Sequence, residues 1–104
     1  MKSIATSPPE GGSETVLIAE DDIYVRKLIK DLLERYGYRV IEAINGEDAI
    51  KIFIENKDKI QLLLLDQIMP KKGGREAYEE IKKIRPKIKA LFTSGYSTYV
   101  IPEK

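Results

Sequence analysis

Two groups of carboxylates stand at the ends of short apolar runs in this chain. Val16-Leu17-Ile18-Ala19 runs into Glu20-Asp21-Asp22, and Leu62-Leu63-Leu64-Leu65 runs into Asp66. Apolar runs of this length, closed by turn residues, read as strands buried on both faces, the mark of a parallel sheet. A parallel sheet sets the C-terminal ends of its strands along one edge, where open α/β folds keep their sites. Two adjacent strands would therefore bring Glu20, Asp21 and Asp66 to one point, beside Ser94 at the end of a further strand. Three carboxylates repel one another unless a cation or a proton joins them. A Mg²⁺ ion held by such oxygens keeps open positions for water and a phosphoryl group. It would also keep Asp66 ionised as a nucleophile towards phosphorus. Taken singly, each acid is equally a turn or helix-capping residue, and Asp22 is the expected N-cap of the first helix.

Composition narrows the chemistry further. The chain has no histidine and no cysteine. That removes the usual general base, the Ser-His-Asp triad, thiolate catalysis and the soft-ligand metal sites. Oxygen ligation of a hard cation, Mg²⁺ or Mn²⁺, is what remains. A formal net charge of +1 gives no reason to expect direct contact with nucleic acid or an anionic membrane. Lys71-Lys72 and Lys82-Lys83 read as solvated loop and helix faces. The absence of a long apolar stretch or a signal-peptide core predicts a cytoplasmic domain. With 104 residues the chain has room for a single small domain.

The elements that must position the acids follow from pattern. Residues 1–14, rich in Ser, Pro and Gly without periodicity, read as a flexible tail or linker. Strands are expected at Val16–Ala19, Tyr38–Ala43, Gln61–Leu65 and Ala90–Phe92. The first helix should turn Val25, Leu28, Ile29, Leu32 and Tyr36 inward and stop at Gly37. A second helix after Asn45-Gly46 should bury Ala49, Ile50, Phe53 and Ile54. A third, from about Gly74 to Arg85-Pro86, should bury Ala77, Ile81 and Ile84. This βαβαβαβ alternation favours right-handed crossovers and helices on both faces of a parallel sheet.

Four segments, in order and at the right spacing, resemble the receiver domain of two-component response regulators. They are Val16 to Asp22, Tyr36-Gly37-Tyr38 with Ala43-Ile44-Asn45-Gly46, Leu62 to Gly74 including Met69-Pro70, and Leu91 to Tyr96. The resemblance implies a flavodoxin-like doubly wound sheet, strand order 2-1-3-4(-5), over residues 15–104. It implies that Asp66 accepts a phosphoryl group from the phosphohistidine of a histidine kinase or phosphotransfer domain. Asp21 would hold Mg²⁺ directly, Glu20 through water, and Ile68 through its backbone carbonyl. Ser94 would be the switch hydroxyl, and Gly95 would leave room for the phosphoryl group. Such a domain is a signalling switch and not a turnover enzyme. The Ser94-Gly95-Tyr96 run and the lead-in Gly11 to Thr15 also resemble receivers fused behind hybrid sensor kinases.

The chain departs from the family towards its C-terminus. The family's fifth strand, with its lysine and switch aromatic, and the fifth helix have no counterpart in Tyr96 to Lys104. Lys104 comes too early to be that lysine. Strand 4 should then be an open edge, inviting self-association, and Tyr96 to Lys104 should form at most one short helix. Two other readings stay open on the residues. One is a receiver-like interaction module that is not phosphorylated. The other is a Mg²⁺-dependent aspartyl phosphatase, which usually has a second Asp where this chain has Ile68.

Overall fold

The computed structural model describes residues 14–93 in full and the backbone of residues 100–102. The tail expected over residues 1–14 falls, apart from Glu14, outside the described residues, as do Ser94 and Gly95. The elements run β1 (Thr15–Ala19), α1 (Ile23–Arg35), β2 (Arg39–Ala43), α2 (Gly46–Glu55), β3 (Leu62–Asp66), α3 (Gly74–Ile84), β4 (Lys89–Thr93) and β5 (Val100–Pro102). The first four strands are parallel, in the order β2-β1-β3-β4, as the pattern requires.

The chain moves outwards from β1 to β2, then back past it to β3 and on to β4. Right-handed crossovers in opposite directions place α1 on one face and α2 with α3 on the other. The α2/α3 face carries the main core. Leu17, Ala19, Leu63, Leu65, Ala90 and Phe92 alternate along the strands to meet Ala49 and Phe53 of α2 and Tyr78 and Ile81 of α3. Tyr78 meets Phe92 edge to face, with ring centroids 5.7 Å apart, an arrangement favoured by the ring quadrupoles. Gln61 stitches the strand starts together, its Oε1 accepting from the Thr15 N–H at 2.6 Å.

The helices sit where the pattern puts them, but their inner faces differ. In α1 the side turned to the sheet is Arg26, Ile29, Leu33 and Tyr36, while Val25, Leu28 and Leu32 are exposed. Apolar residues surround most of this helix, so hydrophobicity alone does not select a face. The polar contacts of Arg26 do. In α2, Ile54 points outwards and Ile52 packs on the core. In α3, Tyr78 takes the buried place expected of Ile84, which is 40% exposed.

The β4 edge is the larger correction. No parallel fifth strand occurs among the described residues. Val100–Pro102 pairs antiparallel with Leu91–Thr93, where an open edge and a short helix were expected. An unpaired edge presents free N–H and C=O groups, and a chain returning beside it satisfies them. Pro102 lies on the outer strand, where a sheet tolerates a residue without an N–H.

Candidate metal and phosphoryl site

Each acid reaches the sheet edge for a local reason. At the end of β1 the chain turns into α1, and Asp22 caps the helix by accepting from Tyr24 N–H at 2.8 Å and Val25 N–H at 3.2 Å. That fixes the turn and leaves Glu20 and Asp21 before it at the strand end. Glu20 is buried, and its Oε2 accepts from the Asp22 N–H at 2.9 Å. Asp66 is also buried, and its Oδ1 accepts from the Ile68 N–H at 3.1 Å, so the chain folds back over the carboxylate. The β1–β3 pairing, with Ala19 beside Leu65, then sets the two strand ends level. One carboxylate oxygen each from Glu20, Asp21 and Asp66 lies within 4.8 Å of the others.

The loop beyond Asp66 is held from its far side. Lys71 and Lys72 both adopt left-handed backbone, with φ of 51° and 77°, costly for residues with a side chain. Their carbonyls accept from the first N–H groups of α2, Glu47 to Lys71 at 3.1 Å and Gly46 to Lys72 at 3.0 Å. Helix N-termini carry orphan donors, and here the loop supplies the acceptors. These lysines therefore shape the loop through their backbones, which their charges do not reveal. Met69 packs against the core and anchors the loop's near side.

Electrostatics agree with a cation site. Burial pushes the Glu20 carboxyl up to about 7, against the bond from the Asp22 N–H, and the charges of Asp66 and Asp21 push it further the same way. A hydrogen bond to Asp66 adds to the shift. Without metal, a proton therefore joins Glu20 to Asp66 near neutral pH. The donor set consists of hard oxygens, two of them on buried side chains, at a spacing one small cation can span. It fits Mg²⁺.

That shift has a sign that can be measured. Between about pH 4.5 and about pH 7 the folded chain binds more protons at Glu20 than the unfolded chain. Stability from this group is thus full below about 4.5 and is lost as pH rises through about 7. Because the site is open to water at Asp21, the loss should be on the order of 1–2 kcal/mol. Urea unfolding of the metal-free chain across this range should show it, and Glu20→Gln should remove that part of the slope. Equal slopes in the two proteins would contradict the assignment.

Comparison with known proteins bears on the same residues. The response regulator receiver domain family matches residues 16–103. The chain belongs to that family. It is 34% identical over 96 residues to Sensor kinase CckA of Brucella abortus (strain 2308), a match covering 92% of this chain and 10% of that protein. The solved receiver domain from Hybrid Histidine Kinase CckA is 37% identical, with a TM-score of 0.74, covering 81% of this chain and 78% of that one. The crystal structure of histidine kinase ThkA in complex with response regulator protein TrrA matches at 34% identity and a TM-score of 0.74, covering 83% of this chain and 72% of that one. TrrA from Thermotoga maritima, 31% identical with a TM-score of 0.68, was also solved with Mg²⁺-BeF, covering 82% of this chain and 75% of that one. The receiver spans from 10% to 66% of the first curated relatives it matches. Among its described residues no helix is long and apolar enough to cross a membrane.

Glu20, Asp21 and Asp66 thus meet as the sequence suggests, with Ile68 folded against Asp66. Ser94 and Gly95 lie outside the described residues. Missed in the sequence was Arg26, a buried cation whose Nη1 donates to the Glu20 carbonyl at 2.8 Å and whose Nε donates to Glu42 at 3.0 Å. Lys27 joins the same carboxylate at 3.2 Å. Burial pushes the Glu42 carboxyl upwards, but Lys27 and Arg26 outweigh it and hold it below its usual range. An arginine four residues after a helix N-cap, on an apolar-rich helix, was the available signal.

Proposed function

We propose that this receiver is a phosphoryl-accepting switch in which Asp66 takes the group from a phosphohistidine. The observation that carries the reading is the convergence of Glu20, Asp21 and Asp66 within 4.8 Å at the C-terminal sheet edge. Asp21, Asp66 and the Ile68 carbonyl would hold Mg²⁺, with Glu20 acting through water. When bound, the ion offsets the repulsion of the acids and the charge of the incoming phosphoryl group. An Asp66 carboxylate oxygen attacks phosphorus, the bond from phosphorus to the histidine nitrogen breaks, and an acyl phosphate forms. The departing electron pair stays with the imidazole. Ser94 and Gly95 sit in sequence where the family keeps its switch hydroxyl and the small residue beside the phosphoryl group.

The partner class is a histidine kinase or phosphotransfer domain, in the cytoplasm. The solved TrrA complex with ThkA supports that class, because it shows a relative at 34% identity bound to a kinase. The domain accepts and slowly loses the group and is not a turnover enzyme. Ile68 stands where an aspartyl phosphatase would need its acid, and the chain has no histidine to replace it. A radiolabelled phosphohistidine donor domain incubated with the chain and Mg²⁺ tests the reading. Label should pass to the wild type and not to Asp66→Asn. Equal transfer to both would refute it.

A further inference from the structure

We propose that Arg26 is a positioning residue for the acidic pair, a role that rests on the metal-site reading above. Asp21 is exposed, and among the described residues no hydrogen bond reaches its carboxylate. Its place is set by its backbone, and above all by the peptide that joins it to Glu20. The carbonyl of that peptide is the one Arg26 holds, through Nη1 at 2.8 Å. Arg26 is itself fixed. It is buried, its backbone N–H donates to the Asp22 carbonyl at 2.9 Å within α1, and its Nε is paired with Glu42 on β2 at 3.0 Å. Glu42 in turn holds Lys27 at 3.2 Å.

The geometry is a two-point strut from β2 to the β1–α1 turn. A guanidinium presents donors in a rigid planar fork, so one side chain spans the Glu42 carboxylate and the Glu20 carbonyl together. Lysine has the charge but only a point donor on a flexible stem. Beside it, the Glu20 N–H donates to the Ala43 carbonyl at 3.1 Å, tying the same turn to the end of β2. The turn thus has a backbone tie on one side and the arginine fork on the other. Removing the fork frees the Glu20-Asp21 peptide to rotate, and the two carboxylates lose their common focus. Supports of this outer kind typically change metal affinity by about 10–100-fold.

Charge would act the other way. A cation near three carboxylates repels Mg²⁺, so its loss would tighten binding if the field of Arg26 were what mattered. Glu42, paired with Arg26 at 3.0 Å, offsets part of that field, and geometry is the larger effect.

The test is a Mg²⁺ titration of the 104-residue chain, followed by amide chemical shifts of Asp22 and Ile68, alongside thermal unfolding. Arg26→Met and Arg26→Lys should each bind Mg²⁺ about tenfold or more weakly than wild type. Glu42→Gln, which leaves the contact to the Glu20 carbonyl, should stay within about threefold of wild type. Should Arg26→Met not fold, Arg26→Lys carries the test, because it keeps both charge and stem. A merely structural arginine would lower the melting temperature of the folded variants and leave their Mg²⁺ affinity unchanged, which overturns the proposal. Wild-type affinity in Arg26→Lys with loss in Arg26→Met would show that a single flexible donor suffices and the planar fork is not needed, and also overturns it. So would a loss in Glu42→Gln as large as in Arg26→Met. A wild type that binds no Mg²⁺ removes the site reading and this inference together; a wild type that binds, with arginine variants that bind equally well, removes this inference alone.

Discussion

Above about pH 7, Asp66→Asn is expected to make the metal-free chain more stable by about 1–2 kcal/mol, while weakening Mg²⁺ binding by about a hundredfold. The two effects have one origin. Asp66 is buried beside Glu20 and Asp21, and once Glu20 ionises, above about pH 7, its negative charge is repelled by theirs when no cation is present. An amide of the same shape removes that repulsion and keeps an oxygen to accept from the Ile68 N–H, now at 3.1 Å. The same change removes a charged ligand from a hard-cation site whose affinity depends on ligand charge. Mg²⁺ should therefore reverse the ranking, because a ligand that binds only the folded state stabilises it in proportion to its affinity. Thermal unfolding of both proteins with EDTA and with saturating Mg²⁺ gives all four numbers. Equal stabilisation of wild type and Asp66→Asn by Mg²⁺ would contradict the ligand assignment.

Gly74→Val is expected to cost about 3 kcal/mol, a large share of the roughly 5–15 kcal/mol available to a small domain. A Cβ at this position would lie 2.6 Å from the Asp66 carbonyl oxygen and 2.9 Å from the Leu65 Cβ. Neither neighbour can give way cheaply, since one is backbone of a central strand and the other is fully buried in the core. The first turn of α3 would have to withdraw from the end of β3, taking with it the loop that closes over Asp66. Stability measured in urea should fall accordingly, and Mg²⁺ affinity in the remaining folded protein should fall with it. A variant within about 0.5 kcal/mol of wild type would show that α3 is not seated against that strand end.

How much of this was legible in the sequence differs from element to element. The central parallel strands β1 and β3 were legible because both of their faces are largely covered, so each carries an unbroken apolar run such as Leu62 to Leu65. The carboxylate cluster was legible because parallel strands must end along one edge, which makes Glu20, Asp21 and Asp66 neighbours without any knowledge of side-chain geometry. The inner face of α1 was not. Ile23, Tyr24, Val25, Leu28 and Leu32 are all exposed to a large degree, and the residue buried most deeply is an arginine. Periodicity weighs apolar residues, whereas here two hydrogen bonds to Glu20 and Glu42 decide the orientation. The lysines of the β3–α3 loop are exposed, as read, but their part in shaping the loop was not legible for a related reason. Their function is carried by backbone carbonyls and left-handed φ angles, to which side-chain charge is blind. The β4 edge depends on a pairing between Leu91–Thr93 and Val100–Pro102 that the sequence pattern does not announce.

The central claim is that Asp66, with Mg²⁺, is the atom-level acceptor of a phosphoryl group. Treating the chain with phosphoramidate and then with borohydride reduces any acyl phosphate to the corresponding alcohol, which peptide mass spectrometry locates. The expected result is homoserine formed from Asp66 alone, and only when Mg²⁺ is present. Reduction at Glu20 or Asp21 in place of Asp66, or the same yield at Asp66 with EDTA, would contradict it.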